Sequence, residues 1–421
     1  MLRAALLTAT GLVGAALAGG AVALRHPVFG GRAEGARQAR IAASPQFAGG
    51  RFRNALPDRR VGDPSLAWKW LLERSAHRVP SAPPETRRLT AADFAAPPAD
   101  GLRLTWLGHA TTLIELDGRR FLTDPVWSAH AAPSPLLGVR RFFDPPLALE
   151  ALPPLEAVLL SHDHYDHLDA ATIGRLAARV PRFVAPLGVG AHLERWGVAP
   201  ERITELDWWE EAGVAGVIVT CTPARHFSGR RLTDRNATLW GGWALAGPAR
   251  RVYVSGDGGY GPHFAEIGRR LGPFDAALVE IGAYDPAWAD LHMGPEQAVQ
   301  AFQDVRADLL VPAHWGTFNL AFHGWTEPAE RLLCAAEAAG VAVAVPRPGQ
   351  PVEPADGGPA ADVERWWPAL PWRTADERPV VSSGVVSAGG VSSGVVSAGG
   401  VSSGGVSSGG VSSGSASAGR A

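Results

Sequence analysis

Short apolar runs rich in β-branched residues follow one another closely from Leu102 onward, and Gly, Asp or Pro bounds each run. Such runs are typical of strands, and segments with helical spacing of their apolar residues alternate with them. Mixed strands with interleaved helices predict a layered α/β domain. We predict strands at Leu102–Leu107, Thr111–Leu116, Arg120–Thr123, Ala157–Leu160, Val217–Thr222, Thr238–Ala244, Arg251–Ser255, Ala276–Ile281 and Leu309–Pro312, and helices at Ala170–Val180, Pro262–Leu271, Pro295–Val305 and Pro328–Ala339.

The sequence on either side of this pattern predicts further parts of the chain. Residues 26–100 form an N-terminal arm that we expect to be extended across the core, with a short helix at Ser65–Arg74. The α/β domain covers residues 101–350, and residues 351–379 are a C-terminal extension with an aromatic patch. Residues 380–421 repeat Val, Ser and Gly and lack the large apolar groups that offset ordering entropy, so we expect a flexible tail without chemistry.

Residues 1–25 predict an export signal or a membrane anchor. An uncharged run from Ala4 to Leu24 lies between Arg3 and Arg25. Ala16-Leu17-Ala18 resembles a signal-peptidase site, whereas the full run approaches the ~20 residues that span a bilayer. Both interpretations stay open, with an uncleaved anchor slightly favoured, and both predict a membrane-associated or exported protein.

Charge and cysteine content exclude two classes of protein. The 39 basic and 41 acidic residues of this 421-residue chain give a net charge of -2, without the basic surplus that nucleic-acid binding requires. The two cysteines, Cys221 and Cys334, lie far apart in apolar stretches. They do not support a disulfide framework.

The densest polar segment is His162-Asp163-His164-Tyr165-Asp166-His167, directly after a predicted strand. Three imidazoles and several carboxylates are costly to keep together unless a divalent cation organises them. In an extended segment His162 and His164 face one way, so both can bind one ion. Asp166 and His167, at the turn into the next helix, can then bind a second ion.

Two ligands for each ion are too few, because zinc with nitrogen and oxygen ligands takes about four or five donors. Further donors follow later predicted strands in the same way. His226 comes after Val217–Thr222, Asp257 after Arg251–Ser255 and His314 after Leu309–Pro312. The recurrence of this placement supports a two-metal site.

These residues resemble the metallo-β-lactamase superfamily, which shares the His-x-His-x-Asp-His signature and the later His, Asp and His. Other strings are similar to its N-acyl-phosphatidylethanolamine-hydrolysing phospholipase D branch. The likeness covers roughly residues 44–346, and Gly256-Asp257-Gly258 departs from the branch by lacking a Thr after the Asp. The matching strings are Trp106–Thr111 (WLGHAT), Leu122–Pro125 (LTDP), Leu206–Glu211 (LDWWEE), Gly282–Tyr284 (GAY) and His314–Phe318 (HWGTF).

The resemblance implies an αββα sandwich that holds two Zn²⁺ ions or other divalent metals. It implies one ion on His162, His164 and His226, the other on Asp166, His167 and His314, and Asp257 as the bridge. A water shared by the ions would lose a proton near neutral pH and attack the substrate. Catalytic roles are implied for Asp166, Asp257 and His292, with His292 contacting the substrate phosphate, and Asp124 is expected to orient a ligand.

Several residues carry a second interpretation. His109 either contacts the site or ties its own turn, and the two are equally favoured. Gly256, Gly258 and Gly261 satisfy a dinucleotide-loop spacing, but that interpretation leaves the histidine cluster unexplained. Trp208 and Trp209 are expected to pack in the core rather than line a lipid pocket. No site role is predicted for six other histidines: His26, His77, His130, His192, His263 and His323.

The leading functional hypothesis is a zinc-dependent phosphodiesterase of the phospholipase D type, acting on N-acyl-phosphatidylethanolamine-like lipids. The substrate would be a phospholipid or another phosphodiester, membrane association is expected, and nucleic acid is not. One alternative keeps the site and opens a lactone, as in proteins that resemble L-ascorbate-6-phosphate lactonase. Another is a non-catalytic cell-surface protein in which the metals are structural.

Overall fold

Two large β-sheets with helices on their outer faces, together with two two-stranded sheets, form the regular structure of the residues that the computed structural model describes, 26–57, 75–134 and 138–383. The run Ala4–Leu24, the predicted helix Ser65–Arg74 and the tail from Gly384 onward lie outside the described residues. Within the described ranges, no helix is both long and apolar enough to cross a bilayer.

The strands are short, and most begin or end beside a Gly, Pro or Asp. In chain order they are β1 (Phe47–Ala48), β2 (Arg51–Phe52), β3 (Leu102–Gly108), β4 (Thr111–Leu116), β5 (Arg119–Thr123), β6 (His130–Ala131), β7 (Val139–Arg140), β8 (Ala157–Leu159), β9 (Phe183–Pro186), β10 (Ile203–Leu206), β11 (Glu211–Val214), β12 (Val217–Thr222), β13 (Gly242–Ala246), β14 (Arg251–Val254), β15 (Phe274–Glu280), β16 (Ala307–Ala313), β17 (Ala342–Val343), β18 (Pro351–Val352) and β19 (Gly358–Pro359).

One sheet has the strand order β10-β9-β8-β5-β4-β3-β18, and the other has β11-β12-β13-β14-β15-β16-β17-β19. The strands β5, β8, β9 and β10 of the first sheet run parallel. In the second sheet β14 to β17 are parallel, while β11 to β14 pair antiparallel. Parallel neighbours place their carboxyl ends at one edge of each sheet, where ligand sites form in such folds.

The six α-helices of the described residues are short, and Pro occupies the first turn of two of them. They are α1 (Gly35–Ala43), α2 (Ala170–Leu176), α3 (Gly190–Arg195), α4 (His263–Leu271), α5 (Pro295–Val305) and α6 (Glu327–Ala339).

Three apolar clusters show how the layers stack. Buried residues of both sheets, such as Leu104 and Val219, share one cluster, so the sheets pack face to face. Ile173 of α2 lies in a second cluster on the outer face of the first sheet. Phe264 of α4 and Leu332 of α6 lie in a third, on the outer face of the second sheet. The expected αββα sandwich is therefore confirmed.

The structure differs from the sequence prediction in the arm and in β13. The arm contains the helix α1, whose Ile41 is buried in the inter-sheet cluster. Strand β13 begins at Gly242 instead of Thr238, because Leu239 N–H donates to Leu187 and Gly241 N–H donates to Ser161, away from the sheet ladder. The apolar run before Gly242 is buried as a loop.

The expectation of a flexible tail from Val380 is wrong for its first residues. Val380 is buried beside Tyr284 and Ala289. The Ser383 N–H and hydroxyl both donate to the carboxylate of Asp290, at 2.5 and 2.6 Å. We call residues 378–383 the C-terminal strap, because they lie against the loop that precedes His292.

Candidate metal centre

The candidate site lies where strands of both sheets end at one edge of the sandwich. Residues 162–167 follow β8, His226 follows β12, Asp257 follows β14 and His314 follows β16. The seven side chains for which metal binding was predicted therefore meet in one cluster, although up to about half of the domain separates them along the chain.

His162, His164 and His226 form the first ligand group. The Nε2 atom of His162 lies 2.8 Å from Nδ1 of His164, and Nε2 of His226 lies 3.3 Å from that same nitrogen. Three ring nitrogens thus converge on one point, as three ligands of a single ion would.

Asp166, His167 and His314 form the second ligand group. The Oδ2 atom of Asp166 lies 3.3 Å from Nε2 of His314 and 3.5 Å from Nε2 of His167. The resemblance assigns these three residues to one ion, and that assignment stays a prediction.

Asp257 lies between the two groups. Its Oδ2 atom is 3.0 Å from Nε2 of both His167 and His314, and 3.9 Å from Nε2 of both His162 and His226. One carboxylate oxygen is thus within reach of nitrogens from each group. This placement suits a bridging ligand.

The cluster also contains buried polar atoms that the protein leaves without hydrogen bonds. Nε2 of His167 makes none within the described residues, although Asp257 Oδ2 is only 3.0 Å away, and Oδ1 of Asp257 has no partner there either. Such close approach without hydrogen-bond geometry is expected when two atoms face a common ion. Imidazole nitrogens and carboxylate oxygens are also the donors that zinc accepts, so the residues fit divalent metal ions.

Burial lowers the pKa values of the three histidines of the first group. It lowers the pKa of His164 to about 4 and the pKa of His162 well below its ordinary value. Burial also lowers the pKa of His226 well below its ordinary value, with the charge of His292 adding to the effect. These rings are therefore neutral at pH 7, the form that binds a metal.

Asp124, which is predicted to orient a ligand, contacts His167 of the second ligand group. Its Oδ2 atom accepts from Nδ1 of His167 at 2.8 Å, so the Nε2 atom of that ring points into the cluster. The same carboxylate accepts the N–H and the hydroxyl of Ser161 at 2.7 and 2.6 Å. The Ser161 hydroxyl in turn lies 2.9 Å from Nδ1 of His162.

His226 is held from outside the sandwich. Its Nδ1 atom lies 2.9 Å from the carbonyl oxygen of Leu291. Asn54 of the arm donates from Nδ2 to the His226 carbonyl at 2.8 Å and accepts its N–H at 3.1 Å. Sequence reasoning missed Asn54, because nothing in its neighbourhood indicates a role at a site 172 residues away.

Glu280 is a second residue that sequence reasoning missed. It is fully buried at the end of β15, with Oε2 2.9 Å from Nδ1 of His292 and Oε1 accepting from the Gly258 N–H at 2.5 Å. Burial raises the pKa of this carboxyl group. The available signal was a single charge near the end of the predicted apolar strand Ala276–Ile281. His292 itself stacks on His314, with ring centroids 5.3 Å apart, so the structure places it at the cluster.

The ring of His109 contacts the site. Its Nε2 atom lies 2.8 Å from Asp166 Oδ2, while its backbone carbonyl accepts from the indole of Trp106. His109, Asp124 and His314 all have positive φ angles, of 54, 36 and 60°. Left-handed backbone is costly for such residues, and it concentrates at functional sites.

Close packing accounts for the glycines beside Asp257. A Cβ atom on Gly256, where φ is +61°, would lie 2.6 Å from the Gly241 carbonyl oxygen, and one on Gly259 would lie 2.3 Å from that of Asp290. The loop that carries Asp257 thus needs small residues to reach the cluster. Close packing therefore explains why a glycine of the dinucleotide-like spacing stands at position 256.

The two tryptophans and the six other histidines of the sequence analysis lie outside the two ligand groups. The Trp208 indole donates to the Trp240 carbonyl within the core, whereas Trp209 lies under the Arg270 guanidinium, 4.2 Å from the ring centroid. Both also line a cavity of about 420 Å³. Of the six histidines without a predicted role, His192 lies 3.4 Å from the Asp163 carboxylate and His323 lines a pocket beside His314.

Comparison with known proteins gives matches over most of the chain. Residues 119–315 match the family described as beta-lactamase superfamily domain. An uncharacterized protein of Mycobacterium tuberculosis is 48% identical over 381 residues, 87% of this chain and 100% of that protein.

Two relatives have names that state an activity. The N-acyl-phosphatidylethanolamine-hydrolyzing phospholipase D 1 of Caenorhabditis elegans is 40% identical over 257 residues, which is 58% of this chain and 72% of that protein. A metal-dependent hydrolase of Methanopyrus kandleri is 31% identical over 223 residues, 52% of this chain and 85% of that protein.

Proposed function

This chain belongs to the metallo-β-lactamase superfamily, in the branch of the N-acyl-phosphatidylethanolamine-hydrolysing phospholipase D proteins, and from that premise we propose that it is a dizinc phosphodiesterase. It is a metal-dependent hydrolase by fold and family. The proposed substrates are N-acyl-phosphatidylethanolamine-like lipids, in keeping with the name of the Caenorhabditis elegans relative.

The position of Asp257 is the observation that carries the proposal. One oxygen of its carboxylate, Oδ2, lies within 4 Å of ring nitrogens from both ligand groups. The two groups therefore suit neighbouring ions, which two-metal hydrolases use to clamp the attacking and leaving oxygens of a phosphoryl displacement.

The proposed reaction splits the phosphodiester at the ethanolamine oxygen. The oxygen of water bonds to phosphorus, the bond from phosphorus to the ethanolamine oxygen breaks, and that oxygen takes up a proton. The products are phosphatidic acid and an N-acylethanolamine. Bound zinc ions would supply Lewis acidity and an activated water.

The residues around the ligands orient the substrate and the ligand rings. With Nδ1–H of His292 donated to the buried Glu280, its Nε2 atom is left to contact a phosphate oxygen. Asp124 fixes the ring of His167, and His109 holds one oxygen of Asp166. We also propose that the N-terminal run brings the enzyme to a membrane that contains its substrate.

The test combines a metal count with a substrate screen on the purified full-length chain. We expect two zinc ions per chain and hydrolysis of N-acyl-phosphatidylethanolamine in mixed micelles. Simple phosphodiesters and lactones are assayed in parallel. Turnover of lactones without turnover of any phosphodiester would assign the lactonase alternative, and no turnover at all would leave the metals a structural role.

Asp257→Asn tests the site itself. We expect more than about 100-fold loss of activity, beyond the range typical of residues that only orient ligands. Asp275→Asn is a matched control, since Asp275 pairs with Arg250 at the surface. Unchanged activity in Asp257→Asn would contradict the assignment of the bridge.

A further inference from the structure

Leu232 is the most exposed large apolar side chain among the described residues, with a relative exposure of 98%. It lies in the loop of residues 229–236, which follows the predicted metal ligand His226 in the chain. We call this segment the docking loop. We infer, on the basis of the proposed function, that the docking loop binds an anionic lipid bilayer, with Leu232 inserted among the acyl chains and the nearby arginines on the headgroups.

The charge around Leu232 is the second observation, because a single exposed leucine is common on protein surfaces. A groove of about 650 Å³ beside it is lined by Arg32, Arg195 and Arg231, with Glu34 as the one acidic residue of its lining. None of these three arginines forms an ion pair with a described residue. In a chain with a net charge of -2, such a basic cluster beside an apolar side chain fits a surface that is both anionic and apolar.

Hydrogen bonds fix the shape of the docking loop. The carboxylate of Asp234 accepts the backbone N–H groups of Arg230 and Arg231 at 3.0 and 2.7 Å. The side chain of Arg230 is buried, and its Nη1 atom donates to the carbonyl of Asp163 at 2.7 Å. The turn that exposes Leu232 is therefore held in place, so little conformational freedom is lost when this side chain enters a bilayer.

The docking loop also lies close to the first ligand group. The guanidinium of Arg235, an exposed residue of the loop, lies 4.4 Å from the centroid of the Phe227 ring. The centroid of that ring lies 4.4 Å from the centroid of the His164 ring. One aromatic ring thus separates an exposed cation from a predicted metal ligand. A bilayer bound at the loop would bring phospholipid headgroups close to this side of the site.

The arm connects the docking loop to the N-terminal run. The carbonyl of Val28 accepts from Nη2 of Arg230 at 2.9 Å, and the carbonyl of Gly30 accepts from Nη2 of Arg231 at 2.7 Å. The uncharged run ends at Leu24, and the few residues from there to Val28 span about 14 Å when fully extended. An anchor formed by that run would therefore keep the docking loop close to the membrane surface.

The docking loop would make activity depend on the surface that carries the substrate. Attraction between arginines and an anionic surface weakens as the salt concentration rises. We therefore expect the KM for substrate lipid in anionic vesicles to increase with ionic strength. A phosphodiester dissolved in water does not need the loop, so its KM should not depend on Leu232.

The first experiment measures whether position 232 enters a bilayer, and it uses the full-length chain. Cys334→Ser removes the exposed cysteine and Cys221 is buried, so a thiol-reactive fluorophore on Leu232→Cys reports on that position. Ile218→Cys is the matched control, because Ile218 is also exposed but lies at the other end of β12 from His226. Both labelled proteins are mixed with vesicles of phosphatidylcholine, with or without an equal part of phosphatidylglycerol, and brominated acyl chains serve as the quencher.

We expect strong quenching of the label at position 232 in the anionic vesicles and weak quenching at position 218. Equal quenching at the two positions, or none at 232, overturns the inference. Quenching at 232 that is unchanged without phosphatidylglycerol contradicts the role of the arginines. A spectral shift that grows with protein concentration in the absence of vesicles assigns the loop to contact between two copies of the chain and also overturns the inference.

The second experiment compares the kinetics of Leu232→Ser and Ile218→Ser. For N-acyl-phosphatidylethanolamine in anionic vesicles, we expect Leu232→Ser to raise the KM about tenfold, because a leucine side chain no longer transfers into lipid. Its kcat, its zinc content and its KM for a water-soluble phosphodiester should match the parent, as should all values for Ile218→Ser. Failure of quenching at 232 leaves the proposed function standing. Quenching at 232 in a chain that cleaves no phosphodiester overturns the proposed function and keeps the docking loop.

Discussion

The two ligand groups differ in what holds them. The second group is supported from within the sandwich, where Asp124 at the end of β5 fixes His167 and the turn after β3 brings His109 onto Asp166. The first group depends partly on segments outside the sheets, because Asn54 of the arm and the carbonyl of Leu291 hold His226, while Ser161, which Asp124 holds, contacts His162.

The C-terminal strap adds to the support that the first group receives from outside the sheets. Leu291 follows Asp290, whose carboxylate accepts both donors of Ser383 and pairs with Arg225. The first group is therefore coupled to the arm and to the strap as well as to the core, whereas the second group is coupled to the core. Local stability varies in this way across a protein. We expect the two ions to differ in how readily they are lost.

Among the changes that compare the two groups, the largest effect is expected from Asp124→Asn, which acts directly on His167 of the second group. An amide cannot accept from both His167 and the two donors of Ser161, so the ring of His167 loses its fixed orientation. We expect metal affinity or activity to fall by about 10- to 100-fold, the range for partners that orient ligands. A competition titration with a coloured zinc chelator measures it. Asp144→Asn, at an exposed position, is the control, and wild-type zinc affinity in Asp124→Asn would contradict the orienting role.

A smaller effect is expected from removal of the strap after Arg378. A chain that lacks residues 379–421 loses the burial of Val380 and the contacts of Ser382 and Ser383 to the loop before His292. The buried Asp290 then lacks two donors, which costs about 1–3 kcal/mol. We expect about a tenfold fall in kcat/KM and earlier loss of one ion during chelation.

The matched control for the strap removes residues 391–421 only. It retains every described contact of the strap, so we expect parental kinetics and parental zinc retention. Equal loss of activity in both truncated chains would show that the repeats, not the strap, matter. No change in either would show that the loop before His292 keeps its position without Ser383.

The sequence predicted the strand-end ligands because a buried apolar strand followed by polar residues is a local pattern. Glu280 also follows the apolar residues of a strand, but a single charged residue is too weak a signal to predict a site. The strap could not be predicted, because the string Val381–Gly384 recurs along the tail and the sequence does not single out the copy whose Ser383 meets Asp290. Strand β13 was misplaced since Leu239 and Trp240 are buried in a loop, and apolar pattern alone does not separate loop from strand.

The smallest effect is expected from Asn54→Ala in the arm. This change tests whether the arm supports only the first ligand group and not the second. The change removes both hydrogen bonds to the His226 backbone and one acceptor of the Trp240 indole, which lies 3.0 Å from Asn54 Oδ1. Because the Leu291 carbonyl still orients the His226 ring, we expect only a several-fold loss of affinity for one ion, on the order of 1 kcal/mol for a hydrogen bond.

Arg53→Ala, at an exposed neighbour, is the control. Substitution by cobalt allows the two ions to be followed separately by absorption, and equal weakening of both would show that arm and core support the cluster as one unit.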